Sequence, residues 1–85
     1  MVYNLYIIYS PKTDRYYIGV SGELENRLAR HNKGTSRSTK SGSPEWRLVY
    51  KESYESRSLA MKRESYLKRM KSRKLIEKLI GKEVD

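Results

Sequence analysis

The sequence contains no cysteine and no phenylalanine, and only two prolines and one histidine among its 85 residues. The absence of cysteine excludes disulfide bonds and thiolate-metal sites, and it is typical of proteins in a reducing cytoplasm. No run of 18 apolar residues occurs, which excludes a membrane-spanning helix. The first ten residues have neither a basic leader nor a small-residue cleavage site, so we expect no signal peptide and a cytoplasmic location.

The missing phenylalanine is replaced by tyrosine, which occurs eight times against a single tryptophan. Phenylalanine fills a core as well as tyrosine does and has no hydroxyl group to satisfy. The bias therefore favours rings with one apolar and one polar end. One interpretation is a thin domain whose rings reach the surface, and the other is that some hydroxyls do chemistry or contact a polar ligand.

Basic residues outnumber acidic ones by 19 to 10, which gives a net charge of +9. Nucleic acid is the commonest partner for such a balance, and an anionic membrane surface is the second. We expect no membrane partner, because no helical stretch is strongly lipophilic. Hydrophobic residues make up 36% of the chain and are spread along it, which indicates one folded domain over residues 1–85 with a single modest core.

The order of the periodic segments predicts an α/β fold with a small three-stranded, partly antiparallel sheet flanked by helices, in the order β-β-α-β-α-α. Strands are predicted at residues 3–9, 16–20 and 46–50, the first two forming a hairpin, and helices at residues 24–32, 55–70 and 73–80. Ser72 is a good N-cap for the last helix and Gly81 ends it. Residues 82–85 are expected to fray.

The periodicity also assigns faces to the elements. The first strand is apolar on both sides, which predicts a central strand covered on two faces. In the third strand, one face is predicted to carry Trp46, Leu48 and Tyr50. The apolar stripe of the second helix is predicted to consist of Leu59, Tyr66, Leu67 and Met70, with Glu64 on its flank.

The helix after the hairpin places unusual residues beside its apolar face. Leu24 and Leu28 mark that face, His31 falls between them in angle, and Arg27 lies at the edge of the same arc. Other charged residues, such as Arg30, are predicted to point away. An arginine and the only histidine beside an apolar face suggest a site that needs them there.

Glycine and serine residues mark the close approaches and connections. Gly19, near the end of the second strand, predicts either a close approach of another group or a bulge. Ser21 is expected to accept a hydrogen bond from an amide of the first helical turn. Residues 33–45 are rich in Gly, Ser, Thr, Lys and Arg, which predicts a flexible surface loop, or a phosphate-contacting arm through Arg37 and Lys40.

Five residues from this framework match a known motif set: Tyr6, Tyr17, Arg27, His31 and Glu64. Tyr17-Ile18-Gly19 is an intact second motif, whereas Asn4-Leu5-Tyr6 stands where the first motif has Gly-Ile-Tyr. Residues 24–32 and 57–64 match the arginine-histidine helix and the glutamate helix of the same set. The sequence thus resembles the GIY-YIG nuclease superfamily, most closely its small stand-alone members related to the catalytic module of the excision-repair subunit UvrC.

This resemblance implies a metal-dependent endonuclease that hydrolyses phosphodiester bonds. Glu64 would bind one Mg²⁺ or Mn²⁺ ion, and Arg27 would contact a non-bridging phosphate oxygen. Tyr6 would activate the attacking water, which requires its pKa to be lowered by the metal or by Arg27. Tyr17 would orient the phosphate or the water. His31, at the edge of the site, would assist by hydrogen bonding or proton transfer.

The expected partner is DNA, with RNA as the alternative. Candidate nucleic-acid-binding residues are Arg37, Lys40, Lys68, Arg69 and Lys71. The sequence has no zinc-finger or helix-turn-helix signature, so we expect the DNA structure or a protein partner to supply specificity, as in DNA repair. The oligomeric state stays open.

Each candidate also has an ordinary structural explanation. Tyr6 and Tyr17 can be aromatic residues of a sheet, Arg27 can extend past Leu28 into solvent, and Glu64 can form a surface ion pair with basic neighbours. His31 can cap or pack the helix end. The second functional hypothesis is therefore a nucleic-acid-binding module of the same fold that does not cut, since the first motif has lost its glycine.

Overall fold

The computed structural model describes residues 2–81, and its element order matches the predicted β-β-α-β-α-α. The elements are β1 (Tyr3–Ser10), β2 (Arg15–Ser21), α1 (Leu24–Lys33), a short 3₁₀ helix (Lys40–Gly42), β3 (Arg47–Tyr54), α2 (Arg57–Met70) and α3 (Arg73–Leu79). The predicted fraying of residues 82–85 lies outside the described residues. No helix within residues 2–81 is long and apolar enough to cross a membrane.

The sheet has the order β2-β1-β3, and both of its pairings are antiparallel. The expected hairpin and the central position of β1 are confirmed, and the sheet is antiparallel throughout rather than in part. Leu5 and Ile7 of β1 belong to a core cluster with Leu67 of α2. Tyr6 and Ile8 point the other way, into a second cluster against which α1 packs. The central strand is therefore covered on two faces, as its two-sided apolar pattern predicts.

Strand β3 differs from the prediction in its bounds and in its faces. A β-bulge lies in its pairing with β1, because Ile7 pairs with Tyr50 and Ile8 pairs with Leu48, so that Val49 has no partner. A bulge adds one residue to a strand and reverses the alternation beyond it. The assignment of Tyr50 to the face of Leu48 is therefore wrong. Tyr50 packs against the cluster of Ile7 instead.

The buried face of α2 also differs from the predicted stripe. Leu67 is buried as predicted, but Leu59, Tyr66 and Met70 are exposed. Ala60 is fully buried one helical turn before Glu64, which itself is only half-buried. The predicted stripe is wrong because the largest apolar residues of α2 do not face the sheet. As a result, Glu64 lies on the inward line of the helix rather than on its flank.

The helix ends are largely as expected. The Ser72 side chain accepts a hydrogen bond from the amide of Leu75 at 3.1 Å, which confirms it as the N-cap of α3. Gly34 ends α1 in the left-handed region with φ of 77°. Ser21 accepts from the amide of Glu23 at 2.9 Å, so it stabilises the turn before α1 rather than the first helical turn.

The connection between α1 and β3 is ordered by specific hydrogen bonds, so the prediction of a flexible loop is wrong. The Asn32 side chain bonds both backbone groups of Trp46, at 2.8 Å each. The Trp46 indole N–H donates to the carbonyl of Thr39 at 2.7 Å, and the Ser10 hydroxyl donates to the carbonyl of Gly42 at 2.7 Å. These bonds fix the loop against β1 and α1, because they satisfy its buried polar groups.

Candidate active site

Tyr6 lies at the centre of the second core cluster, and its hydroxyl group passes close over strand β2. The residue is 2% exposed. A Cβ atom added at Gly19, which pairs with Tyr6 across the sheet, would lie 2.5 Å from the Tyr6 hydroxyl oxygen. The close approach expected at Gly19 is thus made by the Tyr6 phenol, and any side chain at position 19 would displace it.

His31 is buried behind Tyr6, with both ring nitrogens in hydrogen bonds. Its Nε2 lies 2.9 Å from the Tyr6 hydroxyl oxygen, and its Nδ1 lies 2.7 Å from the Thr39 hydroxyl oxygen. His31 is 3% exposed, and together with Arg27 and Arg30 it lines a small groove. The angle of His31 on α1, between Leu24 and Leu28, turns the ring inward onto the sheet.

Tyr17 lies between the buried Tyr6–His31 pair and Lys68 of helix α2. The Tyr17 ring lies 5.0 Å from the His31 ring and 6.4 Å from the Tyr6 ring, measured between centroids. The Lys68 ammonium lies 5.8 Å from the centre of the Tyr17 ring and 3.2 Å from the Glu64 carboxylate. The ion-pair interpretation of Glu64 is therefore correct as far as Lys68 is concerned. The same lysine places the carboxylate beside the tyrosine cluster.

The pKa of Tyr6 depends on its burial and on three other candidate residues, Tyr17, Arg27 and Glu64. Burial raises the pKa of Tyr6 above that of a free phenol, the Tyr17 phenol and the Glu64 carboxylate raise it further, and the Arg27 guanidinium lowers it. The lowering by Arg27 that the resemblance requires is present, but burial outweighs it. Burial also lowers the pKa of His31, and the nearby positive charges of Arg27 and Arg30 act in the same direction, so the imidazole is neutral at pH 7.

Arg27 is exposed and is among the residues that line three grooves. One groove of about 140 Å³ is lined by Arg57 as well as Arg27, and another of about 120 Å³ is lined by Arg27, Arg30 and His31 together with Thr35 and Ser36. Within residues 2–81, neither Arg27 nor Arg30 forms an ion pair. Arg30 is exposed, as predicted for a charged residue that points away from the apolar face of α1. Uncompensated guanidinium groups beside hydroxyls are suited to binding phosphate oxygens.

Sequence reasoning missed three residues at this site: Arg30, Arg57 and Thr39. Arg30 lies one helical turn after Arg27 on α1 and looks like an ordinary solvent-facing residue. Arg57 belongs to α2, and only the fold brings it beside Arg27. Thr39 stands in a polar stretch typical of a mobile loop, and nothing in its local sequence indicates that it is fully buried. The Asn32 and Trp46 contacts that bury it join positions distant in sequence.

The five predicted nucleic-acid-binding residues are spread over several parts of the surface. Arg37 and Lys40 are exposed in the loop between α1 and β3. Arg69 lies with Arg57 and Lys62 on the solvent side of α2, and Lys71 follows the end of that helix. Among these five, only Lys68 contacts the tyrosine and glutamate cluster. The structure therefore brings one of them to the site, and the others lie elsewhere on the surface.

Glu64 is the carboxylate of this cluster that can hold a divalent cation. Its side chain is 20% exposed, and within residues 2–81 no three His, Asp or Glu side chains form a ready-made cage. Mg²⁺ keeps several waters in proteins and is often bound by one or two carboxylates together with a substrate phosphate. A single accessible carboxylate in a cluster that also contains the Arg27 guanidinium therefore fits such an ion.

Comparisons with known proteins concern the family and the fold of the chain. A family model of the GIY-YIG catalytic domain matches residues 2–77. The solution structure of the UPF0213 protein from Bacillus halodurans is similar to the chain, with a TM-score of 0.59 and 28% sequence identity, covering 95% of this chain and 84% of the other. A search of curated proteins finds no significant match.

Proposed function

Because the chain belongs to the GIY-YIG family, whose domains are nucleases, we propose that it is a metal-dependent endonuclease acting on DNA. The observation that carries this proposal is the convergence of Tyr6, Tyr17, Arg27 and Glu64, contributed by four elements, around one buried phenol. Stability alone does not require this combination, because the ionised phenolate that the chemistry needs is disfavoured by burial and by the Glu64 carboxylate.

The residues divide the work of hydrolysis among them. Arg27 binds a non-bridging oxygen of the scissile phosphate and stabilises the charge that develops there. Tyr6, as the phenolate, accepts the proton of the attacking water, whose oxygen forms a bond to phosphorus as the bond to the leaving oxygen breaks. Tyr17 contacts the phosphate or the water and orients it. Glu64 would hold a divalent cation, which when bound would supply Lewis-acid polarisation of the phosphate.

The surface around this cluster supports a substrate recognised by its backbone. The grooves beside Arg27 are lined by the guanidinium groups of Arg30 and Arg57, which suit phosphates rather than base edges. We therefore propose that cutting is directed by the structure of the DNA, such as a nick or branch, rather than by its sequence. A protein partner can add specificity, and RNA is the alternative substrate.

The second candidate is a nucleic-acid-binding module that does not cut. Two observations favour it: Lys68 neutralises Glu64, and burial raises the pKa of Tyr6. The degenerate first motif is weaker support for a module that does not cut. The Asn4 side chain accepts a hydrogen bond from the Ser53 hydroxyl across the sheet at 2.9 Å. Asn4 thus joins β1 to β3 and leaves Tyr6 in place.

Incubation of the protein with supercoiled plasmid in Mg²⁺ or Mn²⁺ tests the proposal. We expect the wild type to nick the plasmid, Glu64→Ala to abolish nicking, and Glu55→Ala to leave it unchanged, because Glu55 is exposed and lies outside the cluster. Nicking that survives Glu64→Ala would show that the activity does not come from this site. Binding of the plasmid without nicking by the wild type would support the second candidate.

A further inference from the structure

We propose that Thr39 is a positioning residue that holds His31 in one tautomer, in which Nε2–H donates a hydrogen bond to the hydroxyl oxygen of Tyr6. The inference deepens the proposed nuclease function and rests on it for its catalytic consequence. The geometry is a continuous chain of two hydrogen bonds, with 2.7 Å from the Thr39 oxygen to Nδ1 and 2.9 Å from Nε2 to the Tyr6 oxygen.

The direction of this chain follows from a competition between two hydroxyl groups. A neutral imidazole has one donor and one acceptor nitrogen, so it can accept the proton of Thr39 or that of Tyr6, but not both. Within residues 2–81, His31 is the hydrogen-bond partner that the structure gives to either hydroxyl. Whichever hydroxyl loses the competition must find another acceptor or bear the cost of a buried, unsatisfied donor.

Thr39 is the hydroxyl with no other outlet. Thr39 is 0% exposed and is enclosed by the ordered loop, and Tyr6 is 2% exposed, so burial alone does not decide between the two hydroxyls. In the proposed mechanism the Tyr6 hydroxyl meets the attacking water, and this water offers the Tyr6 proton an acceptor that Thr39 lacks. Thr39 must donate to Nδ1, and Nε2 then carries the ring proton.

The loop is built to keep Thr39 in this place. The Trp46 indole holds the Thr39 carbonyl, the Thr39 amide donates to the carbonyl of Ser36 at 3.2 Å, and the amide of Gly42 donates back to Thr39 at 3.1 Å. A Cβ atom at Gly42 would lie 2.5 Å from the Trp46 ring, so the loop is also tightly packed. Thr39 is therefore anchored through its backbone, which leaves its side chain free to serve His31.

The consequence for catalysis is a fixed donor to the oxygen of Tyr6. A phenolate that receives an N–H hydrogen bond is stabilised, which offsets part of the effect of burial on the phenol. In the opposite tautomer Nε2 would accept the Tyr6 proton instead, and Tyr6 would lose that donor. The neutral state of His31, whose pKa burial lowers, is consistent with a hydrogen-bond donor rather than a proton acceptor.

Nitrogen-15 NMR of the imidazole ring tests the tautomer directly, and the chain has only one histidine to assign. At pH 8 without DNA, we expect wild-type Nε2 to be protonated and Nδ1 to be unprotonated. Thr39→Ser should keep this state, and Tyr6→Phe should keep it as well, because Thr39 sets the tautomer. Thr39→Val, which keeps the shape but removes the hydroxyl, should convert His31 to a mixture or to the opposite tautomer.

Single-turnover cleavage supplies the second measurement. Thr39→Val should lower the rate about 10- to 100-fold, the range found for partners that orient a functional histidine, and Thr39→Ser should restore most of it. Thr13→Val is the matched control, because the Thr13 hydroxyl is buried without a hydrogen-bond partner among the described residues. It should change neither the tautomer nor the rate.

Two results would overturn the inference: a protonated Nδ1 in the wild type, or an unchanged tautomer in folded Thr39→Val. If Thr39→Val does not fold, the wild-type and Tyr6→Phe spectra still decide which hydroxyl sets the tautomer. If the protein does not cut at all, the proposed function fails, while the tautomer measurement still tests the positioning role of Thr39.

Discussion

Burial of the Tyr6 phenol has two opposite effects on its chemistry. The central strand and the contact over Gly19 fix the ring, which gives a general base its orientation in advance. The same burial raises the pKa of Tyr6, so its phenolate requires positive charge and hydrogen-bond donors close by. In the proposed mechanism, Arg27 and a cation at Glu64 would supply the positive charge and His31 a hydrogen-bond donor, so we expect each of them to affect the rate of cutting.

Substitution of Arg27 is expected to affect the rate of cutting without affecting DNA binding. We predict that Arg27→Ala lowers the single-turnover rate by about 10²–10³-fold, the effect of removing one preorganised donor from a developing charge. Arg27→Lys should restore little, because a point charge on a flexible stem does not reproduce the planar guanidinium. DNA affinity should change little, since 18 of the 19 basic residues remain.

The control for Arg27 is Arg15→Ala, which removes an exposed arginine at the start of β2. A melting curve for each variant checks that the fold is kept. If Arg27 only covered Leu28 with its stem, Arg27→Ala would lower thermal stability and Arg27→Lys would cut at the wild-type rate. That result in a folded protein would remove Arg27 from the active site.

At the scale of elements, the predictable parts are those with regular alternation. The two-sided apolar pattern of β1 identifies the central strand, and Ser72 and Gly34 mark helix ends through local hydrogen bonding. The bulge at Val49 and the buried face of α2 are not predictable in this way, because each depends on contacts between distant elements. The loop between α1 and β3 is the element that the sequence predicts least well. Its composition indicates mobility, whereas the Trp46 indole holds it in place through a hydrogen bond to Thr39.

The candidate site likewise has residues that the sequence identifies and residues that only tertiary contacts reveal. Tyr6, Tyr17, Arg27 and Glu64 can be named from the sequence because the motif spacing places them, and the structure brings them near one another. Thr39 cannot be named, because its role depends on a hydrogen bond to His31 that only the folded loop creates. Motif spacing therefore identifies the groups of the cluster, and tertiary contacts determine how these groups are oriented.

A polar cluster around Glu52 joins β3 to the helix that carries Glu64. The Glu52 carboxylate accepts hydrogen bonds from Tyr50, from Tyr54 at 2.5 Å, and from Arg63 at 3.1 and 3.3 Å. Burial alone would raise the pKa of Glu52, but these hydrogen bonds outweigh it and hold that pKa below its usual value. Because Arg63 immediately precedes Glu64, the cluster fixes the part of α2 that faces the site.

We predict that Glu52→Gln lowers the free energy of unfolding by about 1–3 kcal/mol, the usual range for hydrogen bonds to a charged group. A group with a lowered folded-state pKa contributes stability above its unfolded-state pKa, and this stability disappears as the pH falls through the folded-state pKa. The difference between variant and wild type should therefore be full at pH 7 and shrink below about pH 4.5. Urea unfolding at several pH values measures both effects.

Glu55→Gln is the matched control for this cluster, because Glu55 is exposed and follows β3 directly. Its effect on unfolding should stay within about 0.5 kcal/mol, as for most surface substitutions. A Glu52→Gln protein as stable as the wild type at pH 7 would show that the cluster does not hold α2 in place.

For the whole molecule, a net charge of +9 predicts that DNA binding depends steeply on salt. Arg37, Lys40 and the basic stretch over residues 68–74 should displace counterions from phosphates. Replacing both Arg37 and Lys40 by Ala should reduce the slope of log affinity against log salt by at most about 2, because each phosphate contact contributes about 0.9. The fold should be unaffected, since both side chains are exposed. Fluorescence anisotropy with a labelled duplex measures the slope, and a flat dependence would contradict the electrostatic account.

The most direct test of the cluster as a nuclease site is single-turnover cleavage of a nicked or branched duplex by Tyr6→Phe, with enzyme in excess and Mg²⁺ or Mn²⁺ present. This variant removes one oxygen atom and leaves the ring in the core, and Tyr66→Phe on the exposed side of α2 is the control. We predict that Tyr6→Phe binds DNA normally but cuts about 10²–10⁴-fold more slowly, as expected for loss of a general base, while Tyr66→Phe cuts at the wild-type rate. A folded Tyr6→Phe protein that cuts as fast as the wild type would contradict the proposed role of the buried phenol.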